Sequence, residues 1–175
     1  MNSVTFRKIE SADLATFDVA FQSLEGASDY QWFGFFSSAG SYRQLSERGL
    51  LGGDSNMLAV LCDGDLVGRV EWFLTSWGRP DTSWCWEIAI GLLPDCRGRG
   101  IGTIAQRLLI DYLFTHTPVN RIQVTTASDN APEIRCLEKL SLTREGIIRS
   151  SQWRDGQWND QLIFSTLRHE WMGQH

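Results

Sequence analysis

The spacing of apolar residues changes several times along this chain, and each change marks an element. "VTFRKI" (residues 4–9) alternates as a short strand does; Leu14, Phe17, Phe21 and Leu24 then recur at helical spacing behind Ser11, which reads as the N-cap. From Gly26 to Gly53 the pattern blurs. Tyr30, Trp32, Phe33, Phe35 and Phe36 stand among Gly and Ser, and only a short helix around Tyr42 to Arg48 is expected. "MLAVLCDGDLVGRVEWFL" is clearer: two apolar runs flank Asp63-Gly64, a dipeptide suited to the positive φ values of a two-residue type I′ hairpin. "TSWGRPDTS" then loops into "WCWEIAIGLLP", the third strand of a meander.

Past residue 100, Ile101, Ile104, Ala105, Leu108, Leu109, Tyr112 and Leu113 follow the i, i+3, i+4, i+7 spacing of an amphipathic helix. "RIQVTT" (121–126) is a strand, and Asn130 followed by Pro132 starts a helix that runs to about Leu140. "GIIRSSQWRDGQWNDQLIFSTL" closes the chain as a hairpin around a second DG turn, Asp155-Gly156. Strand, helix, antiparallel meander, helix, strand, helix and hairpin make an α/β fold with a mixed, mostly antiparallel sheet.

Composition narrows this picture. The chain has 175 residues, 42% of them hydrophobic, which is the size and core content of a single domain over 1–175. A formal charge of −5 argues against a nucleic-acid partner and mildly favours cationic ones. Cys62, Cys85, Cys96 and Cys136 form no CxxC pair and do not cluster with the three histidines, two of which are His169 and His175, so they read as buried thiols and no metal is expected. "MNSVTFRKIESADL" lacks the apolar run of a leader, and no stretch has the roughly twenty apolar residues of a membrane helix. A cytoplasmic protein without a membrane partner, monomer or homodimer, is expected.

The chemistry concentrates at "PDCRGRGIGT" (94–103), where a strand meets a helix. A helix start offers backbone N–H groups without partners and the positive end of the macrodipole. Gly98, Gly100 and Gly102 allow an anion to come close, and Arg97 and Arg99 add positive charge to an acidic protein. A Walker loop would need GK followed by Ser or Thr, and a dinucleotide fingerprint would need GxGxxG after a first strand. Neither is present, and a nicotinamide enzyme is a poor second reading.

"RGRGIG" fits the Q/RxxGxG/A pattern of the GNAT family of N-acetyltransferases, with Arg97 at the first position and Gly100 and Gly102 at the two small ones. The resemblance extends through "EIAIGLLPDCRGRGIGT", "TTASDNAPEIRCLEKLSLTREG" and "WRDGQWND", covering about residues 57–171, and is similar to the ribosomal-protein N-terminal acetyltransferase (RimJ/RimL-like) branch. It implies a GNAT fold with splayed parallel strands and acetyl-CoA as co-substrate. The amides of Gly98 to Thr103, including Ile101, would hold the pyrophosphate, backbone at Ile90 and Leu92 would hold the pantetheine arm, and Asn130 would lie near the coenzyme. The same resemblance places the acceptor pocket in aperiodic segments, where Trp32 and Trp77 lie; Asp29 with Tyr30 and Trp32 is suited to a cationic amine.

Strand parity puts Trp84, Trp86, Ile88 and Ile90 on one face and Cys85, Glu87 and Ala89 on the other, with Gly91 marking a bulge. Glu87 is the one ionisable side chain between Trp84 and Pro94 apart from Cys85. A primary ammonium has a pKa of about 10 and must lose a proton before it attacks a thioester, and Glu87 is the candidate base. Two positions depart from the resembled pattern. Leu137 stands where many relatives carry a tyrosine acid, and Glu133 stands where a serine is common, a position from which it would favour the helix dipole. The loop reads the coenzyme and not the acyl group, so transfer from succinyl-CoA and a non-catalytic acyl-CoA-binding module stand beside acetyl transfer.

Overall fold

The structure is a computed structural model that describes residues 3–173; the first two residues of the segment read for a leader, and His175, lie outside them. Seven strands form one mixed sheet in the order β1-β2-β3-β4-β5-β7-β6. The chain divides into two compact units, Met1–Glu71 with Ile90–Ala105, and Trp72–Ala89 with Gln106–His175. No helix among the described residues is long and apolar enough to cross a membrane.

The first unit opens with β1 (Val4–Lys8), paired antiparallel with β2 (Ser55–Cys62) from Val4↔Cys62 to Lys8↔Leu58. Helix α1 (Ser11–Phe21) starts from Glu10 as its N-cap, not Ser11: the Asp13 carboxylate accepts the Glu10 N–H at 2.8 Å, and Arg7 forks onto the same carboxylate at 2.5 and 2.8 Å. That fork holds Asp13 below the usual carboxylate range and ties the strand to the helix. Leu14, Phe17 and Phe21 pack with Ile9, Leu50, Met57 and Ala59, each large side chain contributing about 2 kcal/mol by burial. Leu24 is not part of this stripe. It opens the separate turn α2 (Leu24–Ala27) and is exposed, because the helix ends at Phe21. Helix α3 (Ala39–Arg48) ends on Gly49 at φ +67°.

Strand β3 (Asp65–Ser76) follows the expected turn, with Asp63 at φ +53° and Gly64 at φ +96°. At Gly68 a Cβ would stand 2.2 Å from the Gly91 carbonyl oxygen, so the close approach in this region demands glycine on β3. Strand β4 (Trp84–Leu92) leads through a single 3-10 turn, Pro94–Cys96, to helix α4 (Ile101–His116).

In the second unit β5 (Arg121–Ala127) pairs in parallel with β4 at Trp86↔Ile122 and Glu87↔Gln123, and antiparallel with β7 (Gln157–Leu167) along its whole length. Helix α5 (Ala131–Lys139) follows β5, and β6 (Thr143–Arg154) forms the terminal hairpin with β7, turning on Asp155 and Gly156, both at positive φ. The buried face of α4 is rotated from the expected one. Ile104 and Tyr112 are each 37% exposed, whereas Gln106, Ile110 and Phe114 are buried. The short helix α6 (Arg168–Met172) is anchored by Arg168, which donates to the carbonyls of Val119, Phe114 and Thr117, and by Trp171 Nε1, which donates to Asp111 at 2.6 Å.

Cys62 and Cys85 are buried, but Cys96 and Cys136 are only half-buried, since one lies in the exposed 3-10 turn and the other on the outer part of α5. No group of His, Cys, Asp and Glu able to hold a metal occurs among the described residues.

Candidate active site

The glycine-rich junction belongs to the first unit. Gly98 and Gly100 adopt φ +71° and +77°, Gly98, Arg99 and Gly100 are exposed, and a Cβ on either glycine would meet nothing within 4 Å. Conformation, not clearance within the chain, therefore requires glycine here. The Ile104 N–H bonds back to the Gly100 carbonyl, so the sixteen-residue helix α4 starts directly behind the glycines. Ile101 is fully buried and anchors the helix start. Exposed Gly98, Arg99 and Gly100 at the positive end of a long helix form a surface suited to an anion.

The two arginines are not equivalent. Arg97 is half-buried, its Nε donating to the Leu92 carbonyl at 3.0 Å and its Nη2 to the Gly26 carbonyl, and burial lowers its pKa. It ties α2 to the end of β4. The Ile90 carbonyl accepts Gln31 Nε2 at 3.1 Å. Both backbone positions singled out on β4 thus already receive a side-chain donor from this unit.

Glu87 belongs to the second unit, at the centre of a polar cluster. Its Oε1 accepts the Thr125 hydroxyl, and its Oε2 accepts Gln123 Nε2 at 3.0 Å and the Thr75 hydroxyl at 3.3 Å. The Gln123 Oε1 in turn accepts Trp77 Nε1 at 2.9 Å, Cys85 Sγ at 3.3 Å and Arg121 Nε at 3.3 Å. Arg121 forks onto Glu145 at 2.6 Å on each oxygen, and Ser165 adds a bond at 2.7 Å; together they lower the Glu145 pKa. Burial raises the Cys85 thiol. Strand parity explains the cluster: Arg121, Gln123 and Thr125 share one face of β5 and meet Cys85 and Glu87 of β4. A half-buried carboxylate held by two hydroxyls and an amide is a proton acceptor in a fixed place.

On the opposite face of β5, Asn130 caps α5. Its Oδ1 accepts the Glu133 N–H at 3.3 Å, and its Nδ2 donates to Thr126 Oγ1 at 3.0 Å. Glu133 does not behave as an exposed carboxylate favouring the dipole. Its Oε2 accepts Gln106 Nε2 at 3.3 Å, and burial pushes its carboxyl up to about 7.

The Acetyltransferase (GNAT) domain matches residues 3–143. The chain belongs to the GNAT acetyltransferase family. Along 99% of the chain and 94% of the relative, it is 25% identical to the prophage-derived uncharacterized N-acetyltransferase YokL of Bacillus subtilis. It is 37% identical to the uncharacterized N-acetyltransferase p20 of Bacillus licheniformis over 50% of the chain and 49% of p20, so this match spans about half the relative's length. A third relative, the putative ribosomal N-acetyltransferase YdaF of Bacillus subtilis, is 31% identical over 50% of the chain and 48% of its own. Among solved structures, the spermidine N-acetyltransferase of Vibrio cholerae in complex with CoA and spermine superposes with a TM-score of 0.80 at 19% identity, covering 97% of this chain and 98% of that one. The GNAT fold is thereby shown.

Within this GNAT chain, the structure joins Trp77 to Glu87 through Gln123, with the Trp77 ring 60% exposed and Arg121 5.8 Å from it. Asp29, Tyr30 and Trp32 lie in the first unit. Asp29 is exposed, and Trp32 packs edge-on against Phe35 at 5.4 Å, so this loop is at least partly organised by its own aromatics. Sequence reasoning missed Gln123, Thr125, Arg121 and Glu145. The signal was available in "RIQVTT", where polar residues occupy every other position of a central strand that should be apolar on both faces.

Proposed function

We propose that this chain, acting as one acetyltransferase domain, moves the acetyl group of acetyl-CoA to a primary amine by direct attack in a ternary complex. The observation that carries the reading is the Glu87 carboxylate held by Thr125, Gln123 and Thr75 within the second unit; in the first unit, Gly98 and Gly100 stand exposed at positive φ ahead of α4. Arg99 and the α4 amides bind the pyrophosphate. The pantetheine arm runs along Ile90 and Leu92, where Gln31 yields the Ile90 carbonyl. Arg97 supports the loop from behind. Asn130 borders the coenzyme while capping its helix.

Glu87 takes the proton of the ammonium, directly or through water, and the neutral nitrogen attacks the thioester carbonyl, which is polarised by strand N–H groups near Ile90. Thr125, Gln123 and Thr75 fix the carboxylate for that transfer. Trp77 presents an exposed aromatic face joined to the base through Gln123, which favours a small cationic amine. The similarity to a spermidine acetyltransferase crystallised with spermine supports that acceptor class. A protein N-terminus is the second reading, favoured by the similarity to a ribosomal N-acetyltransferase. Calorimetry with acetyl-CoA and succinyl-CoA, followed by thiol release with spermine, spermidine, single amino acids and a peptide with a free N-terminus, decides among these. Turnover of the polyamines supports the first reading, turnover of the peptide alone the second, and preference for succinyl-CoA would replace the acetyl donor.

A further inference from the structure

An aromatic surface in the first unit is unused by the mechanism. From Ile9 to Tyr42 the chain carries five carboxylates and no lysine, arginine or histidine. Within that run Trp32, Phe33, Phe35 and Phe36 are interrupted only by Gly34, at φ +92°. Phe33, Phe35 and Phe36 are 60%, 85% and 52% exposed, and Leu24 is 49% exposed. The three phenylalanines fall within about 11 Å of backbone. Exposed apolar side chains gathered this closely mark a contact surface.

The segment is tied down on both sides. Gln31 Nε2 donates to the Ile90 carbonyl at 3.1 Å, and Arg97 donates to the Gly26 carbonyl. Behind the rings, Gln22 Nε2 donates to the Phe36 carbonyl at 2.9 Å, and the Ser38 hydroxyl donates to Asp18 at 2.7 Å. Trp32 braces Phe35 edge-on at 5.4 Å. The aromatic segment is thus tethered, through Gln31, to the strand position at which the thioester carbonyl is polarised in the reading above.

We propose that this surface receives the apolar body of the acceptor, and that the acceptor is an amphiphilic amine, one ammonium group on an alkyl or aryl body. The inference rests on the acetyl-transfer reading and narrows its amine. A surface drawn from a run of carboxylates without a cation attracts an ammonium and does not repel it. The balance of charge against apolar area sets how many charges the ligand carries. A polyamine is matched by a carboxylate near each ammonium along its length. Between Ser28 and Ser38 the one carboxylate is Asp29, exposed in the same segment as the three exposed phenylalanines. Such rings are covered by methylene or aryl carbons leaving water.

The test is kcat/KM for thiol release with butylamine, hexylamine, octylamine, phenylethylamine, spermidine and a peptide with a free N-terminus, for the wild type and the double variant Phe33→Ser, Phe35→Ser. Both rings are exposed, so the variant is expected to fold, and its melting temperature checks this. Wild-type kcat/KM should rise about 2- to 4-fold for each added methylene, and spermidine should fall below octylamine. In the double variant octylamine should lose about 10-fold more than butylamine, while the Kd for acetyl-CoA by calorimetry is unchanged. A flat wild-type length series, or a preference for spermidine or the peptide over every alkylamine, overturns this inference alone. So does a wild-type dimer that the double variant dissociates while the length series stays the same. A wild type that turns over no amine overturns the transfer reading and this inference with it.

Discussion

Gln123 holds Glu87 and Trp77 at once: its amide nitrogen donates to Glu87 Oε2 at 3.0 Å while its amide oxygen accepts Trp77 Nε1 at 2.9 Å. One buried side chain thereby sets both the proposed base and an exposed aromatic wall. Gln123→Leu removes both bonds and leaves Glu87 with its two hydroxyl donors. Burying groups without their partner costs about 1–3 kcal/mol. We expect a lower unfolding midpoint, a fall in kcat, and a rise in KM for the amine that exceeds any rise for acetyl-CoA. Equal rises in the two KM values would contradict the link between Gln123 and the acceptor side.

Glu87→Gln keeps the shape and hydrogen-bonding capacity of the site but cannot accept a proton as a carboxylate does. The expected result is a drop of about 10²-fold or more in kcat/KM and a changed acidic limb of its pH profile. An unchanged profile sinks the role.

The phosphate loop separates backbone from side-chain effects. Gly100 at φ +77° tolerates no β-branched residue without strain of about 1–2 kcal/mol, so Gly100→Val reshapes the amide surface. Its KM for acetyl-CoA should rise more than that of Arg99→Ala. The reverse order would show that charge, more than backbone approach, makes the site. Arg97→Ala, by contrast, loses two bonds to backbone carbonyls and should lower the melting temperature more clearly than Arg99→Ala does.

Glu133 also links stability to pH. Its folded-state pKa of about 7 lies above the ordinary 4.5, so the fold favours the protonated form. The resulting contribution is fully present below about pH 4.5 and is lost as pH rises through about 7, on the order of 3 kcal/mol in all. Urea midpoints at about pH 4.5 and 8 should therefore diverge more for the wild type than for Glu133→Gln. Identical divergence in the two proteins would remove burial as the cause of the raised pKa.

Much of this was legible in local pattern. Both DG turns, the helix start after the glycines and the Asn130 cap depend on neighbours only a few residues apart, and they stand where the periodicity places them. Long-range contacts were not legible. Ser11 is a good N-cap type, yet Glu10 takes that position because Arg7 and the Glu10 N–H both converge on Asp13. The rotated burial of α4, with Gln106 inside and Ile104 outside, follows from what packs on that helix and not from its own spacing. The Glu87 cluster draws residues from positions 75 to 165, and only the alternation of Arg121, Gln123 and Thr125 announces it. Glu133 at a helix start reads as an ordinary dipole partner until Gln106 is seen against it.

Amine acetylation by acetyl-CoA is tested most directly by coupling thiol release to mass analysis of the acceptor with the wild-type protein. We expect one coenzyme thiol for each N-acetylated amine, with small cationic amines among the substrates. Binding of acetyl-CoA with no acetylated product across the polyamines, amino acids and N-terminal peptide would contradict it.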